Sequence, residues 1–150
     1  MKRSSLIAGM LTLLVAGAAL AEVEVKNPWV RATVPAQTAT GAFMELTAKT
    51  DARLIAARSP VAQTVEIHEM KMEGGVMKMR AIPGLDLPAG KPVSLAPSGY
   101  HIMLMGLTRQ IKADETVPLT LVVERKDGGR EEIEVKAKAR ALGASAHHGH

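Results

Sequence analysis

From Val23 onward the chain alternates apolar and polar residues in short runs, each closed by proline, glycine or a charged turn. Val23-Glu24-Val25 alternates before Asn27-Pro28 turns the chain, and Trp29 to Val34 forms a second short strand stopped by Pro35. Thr40 to Thr47 and Arg53 to Arg58 read as the next two. A period of two puts successive side chains on opposite faces, as a strand half-buried against a core requires. Thr64 to Met72, then Gly74-Gly75, then Val76 to Ile82 make a hairpin signal. Pro83, Pro88, Pro92 and Pro97 punctuate the following stretch, with Val93 to Leu95 extended between them. Tyr100 to Leu104, Thr116 to Arg125 and Glu131 to Ala139 complete the set, the last two joined by Asp127-Gly128-Gly129. The one run compatible with a helix, Asp51 to Arg58, is too short to outweigh this pattern. Short strands with turn signals every 8–12 residues or so predict an all-β domain, a sandwich or barrel.

The two ends read differently. Lys2 and Arg3 precede an apolar run from Leu6 to Leu20, which closes on Ala19-Leu20-Ala21. A basic start, a short apolar stretch and a small-x-small end predict a cleaved export signal over 1–21. The run is short for a bilayer span, and no basic stop-transfer cluster follows it. What remains is one domain over 22–140, and a small, polar tail over 141–150 expected to be flexible.

Composition narrows the chemistry. The 150 residues contain no cysteine, three aromatic residues (Trp29, Phe43, Tyr100) and nine methionines. Zero cysteine removes disulfides, thiolate catalysis, iron–sulfur clusters and Cys-based zinc or blue-copper sites. It also removes the residue that a lipoprotein would acylate after cleavage. Without residues 1–21, seventeen basic side chains stand against fifteen acidic ones, so the balance is only +2. That gives no electrostatic case for nucleic acid or a membrane surface.

Outside the tail there are two histidines, and each stands two residues before a methionine: His68-Glu69-Met70 and His101-Ile102-Met103. Residues two apart share a strand face, so each triplet sets an imidazole about 6–7 Å from a thioether at the backbone. Met70, Met72, Met77 and Met79 crowd the glycine hairpin, and Met105 continues the row after Met103. Taken singly, a methionine is ordinary core filling and a strand histidine is usually satisfied by hydrogen bonds. Core filling gives no reason for methionine to track histidine, and both histidines have it. Imidazoles and thioethers form a soft, uncharged donor set, poor for Mg²⁺, Ca²⁺ or Zn²⁺ and suited to Cu(I). In an exported protein this set also avoids the oxidation that threatens free thiols.

On these residues the chain resembles the PCu(A)C family of periplasmic copper chaperones. The family signature is a His, ten residues, a Met, twenty-one residues and His-x-Met, and His68, Met79, His101 and Met103 meet it without a gap. Trp29-Val30-Arg31-Ala32, Thr40-Gly41-Ala42-Phe43-Met44, Gly74 to Arg80 and Gly99 to Met105 resemble its recurring blocks, so that the likeness spans Asn27 to Lys136. Ser98 stands where a second glycine would be expected. The resemblance implies a cupredoxin-like Greek-key β-sandwich or barrel that holds Cu(I) through those four residues. It further implies a monomeric carrier that passes copper to the Cu(A) or Cu(B) centre of cytochrome c oxidase, directly or through a Sco-type partner. Met70, Met72 and Met77 would then pack or form an exposed docking patch, with Met105 packing.

Other residues carry weaker expectations. His147, His148 and His150 make an imidazole cluster suited to Cu(II) capture, although a purification remnant has similar composition. Glu66 and Glu69 flank His68; either could orient the ring, but solvated charge on a strand face accounts for both. Tyr100 is expected to pack beside the site. Rival functions fare worse: no Gly-x-Ser-x-Gly or His-Glu-x-x-His is present, so an enzyme is not expected. Copper storage or resistance, or a non-metal module gripping partners with a methionine patch, remain as alternatives. If the histidines bind copper, release is expected as pH falls through about 6–6.5.

Overall fold

The computed structural model describes residues 22–141. The expected export signal and the tail histidines 147, 148 and 150 lie outside the described residues. Ten strands follow in order: β1 Val23–Arg31, β2 Ala39–Ala48, β3 Ala52–Arg58, β4 Ala62–Glu73, β5 Val76–Ala81, β6 Leu85–Leu87, β7 Val93–Leu95, β8 His101–Leu107, β9 Thr116–Arg125 and β10 Arg130–Arg140.

Two departures from the sequence pattern have local causes. Asn27-Pro28 does not divide two strands: β1 runs through it as a bulge. Asn27 takes a left-handed φ of 51°, and the register with β2 shifts between Lys26 and Trp29. The bulge absorbs a proline that has no N–H for the ladder. The second is β6, a three-residue strand among the prolines whose Leu85 and Leu87 are buried. The glycine hairpin is as expected. Gly74 and Gly75 have φ of 57° and 80°, the two left-handed positions of a tight β4–β5 turn.

The strands lie side by side as β5-β4-β8-β2-β1-β10-β9-β3-β6, with β7 also on β2. All pairings are antiparallel except β1 with β10, which run parallel with Trp29 beside Lys138 and Arg31 beside Arg140. The sheet curls so that one face closes on Leu46, Leu54, Ile102, Leu104, Leu119 and Leu121, all essentially inaccessible to water. Each such side chain contributes about 1.5–3 kcal/mol by leaving water, and no disulfide is needed at this size. The same alternation that sends Ile102 and Leu104 inward sends His101, Met103 and Met105 to the other face.

Candidate metal centre

On that outer face the registers fix the neighbours. His68 on β4 stands directly opposite His101 on β8, and Glu66 stands opposite Met103. On the other side of β4, Met70 faces Met79 and Met72 faces Met77. Across β8, Met103 is paired with Gly41 of β2. Phe43 lies over Gly41, where a Cβ would meet the ring at 2.7 Å, so a larger residue there would displace the aromatic.

The two imidazoles have ring centroids 5.6 Å apart and planes inclined by 59°. Two rings that share one ion through nitrogens about 2.0 Å away would stand roughly 5–5.5 Å apart, so this spacing already fits a common ion. Both rings are almost excluded from water, His68 at 7% exposure and His101 at 5%. Met79 reaches back over them from the exposed hairpin. Its sulfur lies 3.1 Å from His101 Nε2, although the residue itself is 47% exposed. Met70, Met79, His101 and Met103 line one open cleft, with Arg31 and Phe43 on its far wall.

Hydrogen bonds determine which nitrogens are bare. A carbonyl oxygen only accepts, so His101 Nδ1–H donates to the Gly99 carbonyl at 3.2 Å. In a neutral ring that leaves Nε2 as a lone pair, aimed at the Met79 sulfur. His68 Nε2 is held by the Glu66 carboxylate at 2.7 Å, and its Nδ1 is buried without a partner. A ring with one nitrogen pinned by an oxygen acceptor and the other unsatisfied is the usual state of a metal-binding histidine. Burial lowers the pKa of His101, opposed by the Gly99 hydrogen bond and aided by the charges of His68 and Arg31. The ring therefore stays neutral to a pH below the ordinary imidazole range. Among the described residues, no three His, Asp or Glu side chains converge as a hard ion would require.

Some expectations are corrected here. Tyr100, one residue before His101, turns to the opposite face and lines a separate groove with Glu69 and Arg80. Glu66 is not merely solvated charge, because it holds His68. Glu69 is the one that turns away, paired with Arg80 at 2.6 Å. Met72 and Met77 are exposed at the hairpin tip, while Met70 and Met105 are half-buried. The aromatic neighbours went unread in the sequence. Trp29 and Phe43 stack at 4.6 Å, and Phe43 lies 6.3 Å from the His101 ring. Only the pairing of β1, β2 and β8 brings these three side chains together.

Residues 23–138 match the family profile described as "LpqE-like: Putative lipoprotein LpqE-like". The chain belongs to this family, the PCu(A)C family. A relative from Leifsonia xyli subsp. xyli (strain CTCB07), described as "Putative lipoprotein Lxx21020", is 33% identical over 117 residues, 77% of this chain and 69% of the relative. DR1885 from Deinococcus radiodurans is 34% identical. Its apo solution structure matches with a TM-score of 0.60 over 84% of this chain and 83% of that one. Its CuI-bound structure matches at 0.63 over 83% of each. The copper-bound PCuAC domain from PmoF2, at 23% identity, shares the fold with a TM-score of 0.64 over 80% of this chain and 93% of that domain. The PCu(A)C fold is thus the cupredoxin-like, all-β architecture that the sequence led us to expect.

Proposed function

We propose that this PCu(A)C chain is an exported carrier that binds one Cu(I) ion through His68, Met79, His101 and Met103. The observation that carries this reading is the convergence of uncompensated donors: a bare Nε2 on His101 within 3.1 Å of the Met79 sulfur, beside the unpartnered Nδ1 of His68. Two lone pairs that face each other at this distance repel unless a cation lies between them. Nitrogen and thioether donors with no formal charge select a soft monovalent ion. The CuI-bound form of the 34% identical DR1885 supports the same cargo.

Cleavage after Ala21 would release a monomeric domain into the periplasm, and the lipoprotein description of the family supports export. The recipient we infer is the Cu(A) or Cu(B) centre of cytochrome c oxidase, reached directly or through a Sco-type protein. The protein itself acts as a carrier and catalyses no reaction. The exposed pair Met72 and Met77 favours one second reading, copper storage, because two further thioethers side by side offer a place for another ion. The tail histidines His147, His148 and His150 would capture Cu(II). X-ray absorption of the Cu(I)-loaded, tail-deleted domain tests the assignment. One copper with nitrogen and sulfur in equal number is expected. Oxygen-dominated coordination would overturn it, and two coppers per chain would favour storage. A tail deletion that leaves Cu(II) stoichiometry unchanged would remove the tail from copper handling.

A further inference from the structure

The cleft has a second feature, and it concerns charge. Eight arginines fall among the described residues. Six of them (Arg53, Arg58, Arg80, Arg109, Arg125, Arg130) lie within ion-pair reach of a carboxylate. Among the described residues Arg31 and Arg140 have no such partner; Arg31 lines the cleft, and Arg140 is its neighbour on β10. Arg31 lies over the Phe43 ring at 5.6 Å and Arg140 over Trp29 at 5.2 Å. The parallel β1–β10 register sets the two guanidiniums side by side and adds the exposed Lys138 next to Trp29.

We infer that Arg31, Lys138 and Arg140 form a docking surface for an acidic rim on the protein that takes the cargo; the identity of the cargo rests on the copper reading above. An arginine stacked on an aromatic face keeps its N–H edge free, and that edge matches a carboxylate through two parallel hydrogen bonds. Stacking also holds the long side chains in place before a partner arrives, so less conformational entropy is lost on docking. Toward the cleft, the opposite wall offers no equivalent. On the hairpin, Arg80 is paired with Glu69 and Lys78 with Glu73, and the exposed Lys71, unpaired among the described residues, shares their side of the ribbon and not that of Met70 and Met72. The large apolar side chains which that wall exposes are Met72, Val76, Met77 and Met79. An acceptor that straddles the cleft therefore meets apolar surface on one side and unpaired positive charge on the other.

Cargo strengthens the asymmetry. Neutral ligands leave the charge of Cu(I) uncompensated, so the loaded rim is more positive than the emptied one. An acidic acceptor is held more firmly before transfer than after it, which favours departure once the ion has moved. Three cations beside a concave cleft also suit a protein rim better than a flat lipid surface.

The test uses the full chain and two synthetic Cys-x-x-Cys peptides that differ only in flanking aspartates or flanking lysines. The rate of Cu(I) transfer to each is measured at low salt and at about 0.5 M salt. The aspartate peptide is expected to be faster by about tenfold at low salt, and the advantage to vanish at high salt. The variants Lys138→Glu and Lys138→Glu/Arg140→Glu are expected to shrink and then reverse it while leaving Cu(I) affinity unchanged. Equal rates for the two peptides, or a preference that the variants do not alter, would overturn the inference. Flotation of the metal-free protein with phosphatidylglycerol vesicles, abolished in the double variant, would also overturn it by giving the patch to a membrane. If the protein takes up no Cu(I), the copper reading fails on its own. Docking is then read by amide-shift titration of the metal-free chain with the same peptides carrying serine for cysteine, where shifts near Arg31 and Lys138 with the aspartate peptide alone are expected and their absence overturns it.

Discussion

β5 and β8 both bring sulfur to the cleft from either side of β4, yet they are built differently. Every residue of β5 is exposed, and the strand lies at the end of the sheet with a partner on one side only. On β8, His101, Ile102 and Leu104 are buried, and the strand is clamped between β4 and β2. Local opening is easiest where few buried contacts resist it. In the proposed site the histidines and Met103 would therefore form a fixed half, and Met79 a removable cover. A carrier needs both, because a wholly rigid site would not let go and a wholly exposed one would not hold.

This contrast can be broken by substitution. His101→Ala, on the fixed side, is expected to have the largest effect. Cu(I) affinity, measured by competition with a chelator, should fall by more than about 100-fold. The metal-free protein should also lose about 1–3 kcal/mol in urea unfolding, because the Gly99 carbonyl loses its donor and a buried ring is removed. Next comes Glu66→Ala, which leaves His68 in place but frees its Nε2. A loss of about 10–100-fold in affinity is expected, as for other partners of metal-binding histidines. Ring nitrogen shifts of the metal-free variant should show the His68 tautomer no longer fixed, and an unchanged tautomer would mean that Glu66 does not set it.

Met79→Leu probes the removable side. Affinity should drop by about tenfold, while stability changes by less than about 0.5 kcal/mol because the side chain is half in water. Equal effects on stability from Met79→Leu and His101→Ala would erase the distinction between the two walls.

The smallest effect is that of pH on the metal-free fold. Burial depresses the pKa of His101 in the native state, so the unfolded chain binds its proton first as pH falls below about 6.5. The unfolded state is then favoured, and stability should decline through that window toward the lowered native pKa. His101→Gln should flatten this part of the thermal-midpoint profile, whereas an identical slope would show that the ring carries no such linkage.

Much of this was legible in the chain itself. Period-two alternation and Gly74-Gly75 marked the strands and the hairpin, and the His-x-Met spacing picked out residues that do share a face. The opposition of His68 and His101 could not be read, since it depends on how β4 and β8 slide against each other across a long intervening segment. Glu66 looked like solvated charge because a sequence does not say which carboxylate points at a ring. The arginine–aromatic ladder was hidden for the same reason: Arg140 reaches Trp29 only because the last strand lies parallel to the first.

That parallel pairing also orients the molecule. Glu22, before β1, donates its backbone N–H to the Glu131 carboxylate at the start of β10, and both strands finish together at Arg31 and Arg140, at the end where Arg31 shares the cleft with His101. At about 3.3 Å per residue, the amino end of the domain lies roughly 20–25 Å from the site, at the opposite pole. Anything that tethers the protein by its amino end would leave the loading mouth turned away from the anchor and free to meet a visitor, whereas a bulky fusion after Arg140 would stand in the doorway.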